Sequence, residues 1–155
     1  MSERSGYELP LLLLGAFRSI IDELHAELAR RGYPEMRPAH GFALQAIGIN
    51  GVTVGELGRR LGVTKQAAAK TARSLEELGY VQRAPHAFDG RAQVLTRTRR
   101  GLEVLQLSAE LFDRQRQNWS QELGQDRLNE LEDDLAALAG HEARASIGNL
   151  PGWLQ

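Results

Sequence analysis

The 155-residue chain contains no cysteine, which excludes disulfide bridges, cysteine-ligated zinc and thiol-based catalysis or redox sensing. Its longest apolar run, from Leu9 to Phe17, is much shorter than the roughly 20 residues that cross a bilayer. The acidic residues Glu3 and Glu8 stand where a signal peptide would carry basic residues. We therefore expect a cytoplasmic protein without a membrane segment.

Phosphate-binding glycine motifs are also missing, because neither G-x-x-x-x-G-K-S/T nor a G-x-G-x-x-G that follows a strand occurs. The four histidines do not have the spacing of metal ligands, and the carboxylates lie mostly along helix faces predicted to be solvated. We expect no metal, no cofactor and no enzymatic activity.

Positive charge is concentrated in the middle of the chain, although the whole chain has a formal net charge of −1. Between Val52 and Gly101 there are ten lysines and arginines and only four acidic residues. Such an asymmetry is typical of a segment that contacts nucleic acid. The middle segment is therefore predicted to bind double-stranded DNA, whereas the acidic flanks are not.

Apolar periodicity predicts long helices on both sides of the basic segment: from Leu9 to Arg31, from Thr98 to about Trp119, and from about Gln125 to His141. The first has an apolar face wide enough for two partners, and the last has leucines three and four residues apart. We expect these faces to form a dimer interface with Leu11, Leu12, Leu13, Leu14, Leu128, Leu131, Leu135 and Leu138. The apolar tail is expected to dock on a neighbour through Ile147, Leu150, Trp153 and Leu154.

Two helices joined by a tight turn are predicted in the basic segment, after a short helix from Ala39 to about Gly48. The first starts at a capping box of Thr53 and Glu56, and the second is capped by Thr64. This is helix-turn-helix geometry. The face of the second helix expected to contact DNA consists of Thr64, Lys65, Gln66, Ala69, Lys70 and Arg73. An ordinary amphipathic helix with a solvated basic face is the simpler alternative.

A β-hairpin is predicted next, with strands from Tyr80 to Ala84 and from Ala92 to Arg97 and a turn at Asp89 and Gly90. Helix, helix and hairpin in this order indicate a winged helix. Its wing can place Arg91 in the minor groove, with Asp89 as support. Asp89 and Arg91 can equally be a surface pair that stabilises the turn.

These elements resemble the MarR family of bacterial winged-helix transcription regulators. The similarity is carried by E-L-G-R-R-L-G-V-T at 56–64, L-E-E-L-G-Y-V at 75–81, D-G-R-A at 89–92 and T-R-R-G at 98–101. The chain departs from the family at His86, where a further acidic residue is common, and at Arg97, where an apolar residue is usual. These departures predict a less rigid wing tip or shifted phosphate contacts.

The resemblance implies one mainly α-helical domain over 1–155, with a small β-hairpin wing. The winged helix-turn-helix would occupy 39–97, and the helical dimerisation part would occupy 9–31 and 98–155. It also implies a homodimer that binds a pseudo-palindromic operator, represses transcription and is associated with the bacterial nucleoid when bound to DNA.

The family's small aromatic or phenolic effectors bind between the dimerisation helices and the winged helix. Here that position would draw on Phe17, Ile21, His25, His40, Phe42 and Phe112. A plain hydrophobic core is the simpler interpretation of these residues. For the whole chain, the alternative function is a winged-helix protein-interaction module, whose binding would lack sequence preference and survive salt.

Overall fold

The computed structural model describes residues 4–145 and has six helices and one antiparallel hairpin in that range. The elements are α1 (Glu8–Arg30), α2 (Pro38–Ile47), α3 (Val54–Leu61), α4 (Lys65–Glu77), β1 (Val81–Pro85), β2 (Gln93–Arg97), α5 (Arg99–Leu123) and α6 (Gln125–Ala145). The predicted fold, mainly helical with a hairpin wing, is confirmed. The tail residues Ile147, Leu150, Trp153 and Leu154 lie outside the described residues.

One apolar core joins the winged helix to the long helices. Its largest fully buried side chains are Tyr80, Leu28, Leu44, Ile47, Leu57, Leu75, Leu95, Val81 and Val104. They come from α1, α2, α3, α4, the hairpin and α5, together with Tyr80 just before the hairpin. Because every one of these elements contributes to the same core, the winged helix and the long helices cannot move independently without exposing apolar surface.

The turn between α3 and α4 is tight because a glycine lies at the point of contact. The hydroxyl of Thr64 accepts a hydrogen bond from the backbone N–H of Ala67 at 3.1 Å and caps α4. A Cβ on Gly58 would lie 3.2 Å from the carbonyl oxygen of Val63 and 3.5 Å from the Cβ of Ala68. Gly58 therefore allows α4 to pack closely against α3.

The capping box predicted for α3 is only half formed. The hydroxyl of Thr53 accepts from the backbone N–H of Glu56 at 3.2 Å. The Glu56 carboxylate, however, accepts from the guanidinium groups of Arg59 at 2.7 Å and Arg60 at 3.3 Å. These two bonds, the one with Arg59 foremost, hold the pKa of the Glu56 carboxyl below its usual value. The prediction of a reciprocal bond to Thr53 is wrong because two arginines one turn away compete for the same oxygens.

The hairpin has a third partner that the sequence pattern did not predict. Strands β1 and β2 pair from Val81 opposite Arg97 to Pro85 opposite Gln93. Val52 bridges β2 on its other side and exchanges two backbone bonds with Leu95 at 3.1 and 2.7 Å. A single bridging residue has no alternating pattern, so periodicity does not reveal it.

The last two helices are longer than predicted. Helix α5 continues past Trp119 to Leu123 and stops before Gly124, which has a φ of +91°. Helix α6 continues past residue 140 but is interrupted at Gly140, whose φ of +77° and ψ of 168° are not helical. The last turn of α5 carries half-buried Leu123, four residues after Trp119, so the apolar spacing in fact continues to the end of this helix.

The start of α5 is fitted against the hairpin through Gly101. The hydroxyl of Thr98 caps the helix by accepting from the Gly101 N–H at 3.2 Å. The same hydroxyl donates to the carbonyl of Gly79 at 2.6 Å, and the Thr98 N–H donates to the carbonyl of Tyr80 at 3.0 Å. A Cβ on Gly101 would overlap the Tyr80 carbonyl oxygen. Only glycine therefore fits at this junction.

We predict that Gly101→Ala lowers the free energy of unfolding by about 3 kcal/mol, because the added methyl must displace a strand-end carbonyl group. Gly55→Ala is the matched control, since a Cβ there meets only the flexible end of Arg59 at 3.8 Å. The control should be neutral or stabilising by up to about 1 kcal/mol. Urea unfolding of both variants measures the difference. Equal effects would show that the junction tolerates a side chain.

Candidate nucleic-acid interface

Helix α4 has one buried and one exposed face. Ala68, Ala72 and Leu75 are fully buried, which fixes the rotation of the helix about its axis. The opposite face exposes Thr64, Lys65, Gln66, Lys70 and Arg73, with Ala69 half-buried among them. The residues predicted to contact DNA therefore share one surface, whose small alanine allows close approach to a partner.

Six basic residues between Val52 and Gly101 have no acidic partner among the described side chains, and four of them lie on α4 and at the wing tip, whereas Arg97 and Arg100 contact other parts of the fold. Four arginines of the basic segment are engaged in ion pairs: Arg59 and Arg60 with Glu56, Arg83 with Glu76, and Arg99 with Glu103. Among the side chains of residues 4–140, none forms an ion pair with Lys65, Lys70, Arg73 or Arg91. We name these four residues the unpaired basic set. A polyanion can bind them without breaking an existing ion pair.

The tip of the wing is held by side chains that accept from its own backbone. The Nδ1 of His86 accepts from the N–H groups of Phe88 at 3.1 Å and Asp89 at 3.2 Å. A carboxylate oxygen of Asp89 accepts from the Arg91 N–H at 3.0 Å. Asp89 thus supports Arg91 through the backbone, without an ion pair between the two side chains. His86 thus supplies an acceptor for two backbone N–H groups of the turn, and a looser tip stays a prediction.

The side chain of Arg97 forms hydrogen bonds with the backbone of α2. Its Nε donates to the carbonyl of Leu44 at 2.8 Å, and a terminal nitrogen donates to the carbonyl of Gln45 at 3.0 Å. These carbonyls belong to the last turn of α2, where a cation is favoured by the helix dipole. Partial burial lowers the pKa of Arg97 from its usual value. Arg97 therefore ties β2 to the end of α2, and shifted phosphate contacts stay a prediction.

Helix α2 is also tied to α4, through His40. This side chain is buried, and its Nε2 lies 3.0 Å from the hydroxyl oxygen of Ser74. Its Nδ1 accepts from the backbone N–H of Arg37 at 3.2 Å, which leaves the ring proton on Nε2 to be donated to Ser74. Burial, followed by the charge of Arg37, lowers the pKa of His40 and favours this neutral form.

A cavity of about 310 Å³ opens between α1, α2 and α5. Four of the predicted effector-pocket residues line it: Ile21, His25, Phe42 and Phe112. The other two do not, since His40 points to Ser74 and Phe17 lies outside the lining. The sequence reasoning missed further lining residues, namely Leu24, Leu28, Met36, Pro38, Gly41, Gln45, Leu105, Ser108 and Ala109. Residues 105, 108, 109 and 112 are three or four positions apart and therefore lie on one face of α5. This spacing is visible in the sequence and could have identified the α5 residues that line the cavity.

Most of the predicted dimer residues are exposed. On α1, Leu11, Leu12 and Leu13 are exposed and Leu14 is half-buried, and Tyr7 and Leu9 extend the same apolar surface. On α6, Leu131, Leu135 and Leu138 are exposed. Leu128 is 3% exposed and is already covered within its own chain, beside the α5 residues Arg116 and Trp119. Leu128 is therefore a core residue of the α5–α6 pair and does not present a surface to a partner.

Neither a membrane span nor a cluster of metal-binding side chains is found in the described range. No helix there is long and apolar enough to cross a bilayer. No three histidine, aspartate or glutamate side chains of residues 4–140 are grouped so that they can hold a metal ion.

The comparisons with known proteins agree with this geometry. Residues 36–92, which include α2 to the wing tip, match the model of the MarR family, and this match confirms the resemblance seen in the sequence. No curated protein is a significant match for the sequence.

Solved structures share the fold over most of the chain. The transcriptional regulator Tm0710 of Thermotoga maritima is 27% identical with a TM-score of 0.62, and the match covers 90% of this chain and 96% of that one. FabT of Streptococcus pneumoniae, solved in complex with DNA, is 17% identical with a TM-score of 0.73 and coverage of 86% and 94%. Wild-type MarR of E. coli in its apo form is 22% identical with a TM-score of 0.67 and coverage of 85% and 97%.

Proposed function

We propose that this chain, a winged helix-turn-helix protein of the MarR type, is a sequence-specific DNA-binding regulator of transcription that acts as a homodimer. The observation that carries the proposal is the placement of the unpaired basic set on the exposed face of α4 and at the wing tip. Elsewhere in the basic segment, Arg59, Arg60, Arg83 and Arg99 are already neutralised by carboxylates. The surface offered to a duplex is therefore positive where a winged helix meets DNA.

Helix α4 is suited to the major groove. Thr64 caps the helix, so the first backbone N–H groups and the positive end of the helix dipole lie next to Lys65 and favour a phosphate. Gln66 and Lys70 carry groups that can bond base edges, and Ala69 leaves room for them. Arg91 at the wing tip can reach the adjacent minor groove, whose negative potential attracts arginine.

The exposed apolar surfaces of α1 and α6 support dimerisation. Leucines that are half or more exposed, such as Leu11 and Leu12, leave apolar area in water that a second copy would cover. A two-fold dimer would place two α4 helices about 34 to 36 Å apart, one turn of the duplex, and so read a pseudo-palindromic site. Occupation of such a site within a promoter would repress transcription.

The cavity beside α2 supports control by a small aromatic or phenolic ligand. His25 donates from Nδ1 to the carbonyl of Ile21 at 2.8 Å, which leaves Nε2 as a hydrogen-bond acceptor. A phenolic hydroxyl can donate to this nitrogen while its ring contacts Phe42 and Phe112. Helix α2 forms a wall of the cavity and holds α4 through His40 and β2 through Arg97. A ligand that displaces α2 would therefore move both DNA-facing elements and reduce affinity for the operator.

The first prediction from the proposed function concerns DNA readout. Selection from a random-sequence duplex library should enrich a palindromic site, the selected duplex, bound at least about a thousandfold more tightly than scrambled DNA at physiological salt. Lys70→Ala and Gln66→Ala should each weaken binding to the selected duplex by about 1 to 3 kcal/mol, because a base contact is lost. Arg91→Ala should weaken binding to selected and scrambled duplexes alike. Fluorescence anisotropy measures both.

Arg127→Ala is the control for DNA readout, since this exposed arginine lies on α6, away from the wing and α4. It should leave both affinities unchanged. A library without enrichment, together with binding of an acidic protein that persists at about 0.2 M salt, would favour the interaction-module alternative.

The second prediction concerns the dimer. Leu12→Glu should convert the protein to a monomer in sedimentation experiments, because a carboxylate would be buried in the apolar interface. Leu102→Glu is the matched control: Leu102 is as exposed as Leu12, at 52% against 53%, but lies on the first turn of α5. A control that also dissociates the protein, or a Leu12→Glu dimer, would contradict this interface.

The third prediction concerns the ligand. Phenol should raise the melting temperature and weaken binding to the selected duplex more than toluene does, because only phenol can donate to His25. In His25→Phe the two compounds should have equal effects. An unchanged melting temperature with both compounds would contradict ligand binding in the cavity, which would then be only a packing feature of the core.

A further inference from the structure

The wing tip presents an aromatic side chain to water. Phe88 is 97% exposed, more than any other large apolar side chain among residues 4–145. Phe88 is not among the side chains that pack in or against the apolar core, and none of the DNA contacts proposed above uses it. Fully exposed single apolar residues are common on proteins, so exposure alone does not indicate a function. The hydrogen bonds and charges around Phe88 are more informative.

The residue is held in place. Its N–H donates to His86 Nδ1 at 3.1 Å, and its ring lies edge-on to the imidazole with centroids 6.2 Å apart. The next turn residue is held by the same nitrogen, and the hairpin closes with the His86 N–H donating to the Ala92 carbonyl at 2.9 Å. The backbone that carries Phe88 is thus ordered before any partner binds, which reduces the entropy lost on binding.

The charge around Phe88 favours a nucleic acid as its partner. Arg91, three residues along the tip, belongs to the unpaired basic set, and the nearest carboxylate, Asp89, is engaged with the Arg91 N–H at 3.0 Å. The minor groove has a negative potential that attracts arginine, and base-pair edges with hydrogen-bond acceptors form its floor. Apolar side chains such as phenylalanine can enter between base steps from this groove and contact the base faces that unstack. An apolar side chain next to an unpaired guanidinium therefore fits this groove.

We propose that Phe88 is an apolar wedge that enters the minor groove beside Arg91 and partly unstacks one base step. This inference rests on the proposed DNA-binding function and adds a contact to it. Arg91 binds the negative groove, while Phe88 covers the faces of bases that separate at the step. Because TA and CA/TG steps unstack most easily, one of them should recur in the selected duplex where the wing lies.

The test uses the selected duplex, in which 2-aminopurine replaces one base at a time in the segments on both sides of the centre, the two flanks. The fluorescence of 2-aminopurine rises when stacking is lost, so it reports the step that unstacks. Wild-type protein should raise the signal at one step in each flank. Phe88→Ala should abolish that rise and weaken binding about tenfold or more. Phe88→Leu, which keeps an apolar side chain, should retain part of both effects.

Salt dependence separates the wedge from an electrostatic contact. Phe88→Ala removes no charge, so the slope of log Kd against log salt should remain that of the wild type. Arg91→Ala should reduce the slope by about one ion. Because Phe88 is exposed, Phe88→Ala should also keep the wild-type melting temperature and oligomeric state.

Wild-type affinity and wild-type fluorescence in Phe88→Ala would overturn the wedge and leave the proposed function standing. A change of oligomeric state in Phe88→Ala would overturn it too, because the side chain would then be a protein contact. Failure of the wild-type protein to select any duplex would instead contradict the proposed function itself.

Discussion

The close contact between the start of α5 and the carbonyl group of Tyr80 is the constraint on which the rest of the structure depends. The N–H of Thr98 donates to that carbonyl, its hydroxyl donates to the carbonyl of Gly79, and Gly101 leaves the space that the contact needs. These bonds join the end of the recognition helix, the start of the wing and the first turn of the long helix α5 in one place. The orientation of the long helices therefore sets the orientation of α4 and the wing.

Helix α2 provides a second connection between the same parts. Its buried His40 bonds Ser74 on α4, and its last carbonyls accept from Arg97 on β2. The cavity lies on the other side of α2, against α1 and α5. Since packed interiors move as units, a displacement of α2 would be transmitted to α4 and β2. His40 was predicted to contact a ligand, and Arg97 departs from the family pattern. Both residues instead tie α2 to a neighbouring element, His40 to α4 and Arg97 to β2.

Basic residues of the middle segment divide into three groups with different roles. Arg97 and Arg100 act within the fold: the first binds the end of α2, and the guanidinium of the second lies 4.9 Å from the ring centre of Tyr33 and 5.2 Å from that of Tyr80. Arg59, Arg60, Arg83 and Arg99 have carboxylate partners. The unpaired basic set is what remains. A count of charge along the sequence identifies the segment, but only the pairing pattern identifies the surface.

The sequence by itself determined the order of the elements and the two faces of α4. Apolar spacing, the caps at Thr64 and Thr98 and the glycines that end helices are local signals, and local hydrogen bonds and backbone sterics decide them. Tertiary structure alone decided the bridge from Val52 to β2, the burial of Leu128 and the separation of His40 from the cavity. Each depends on a partner distant in the chain, and neither periodicity nor composition contains that information.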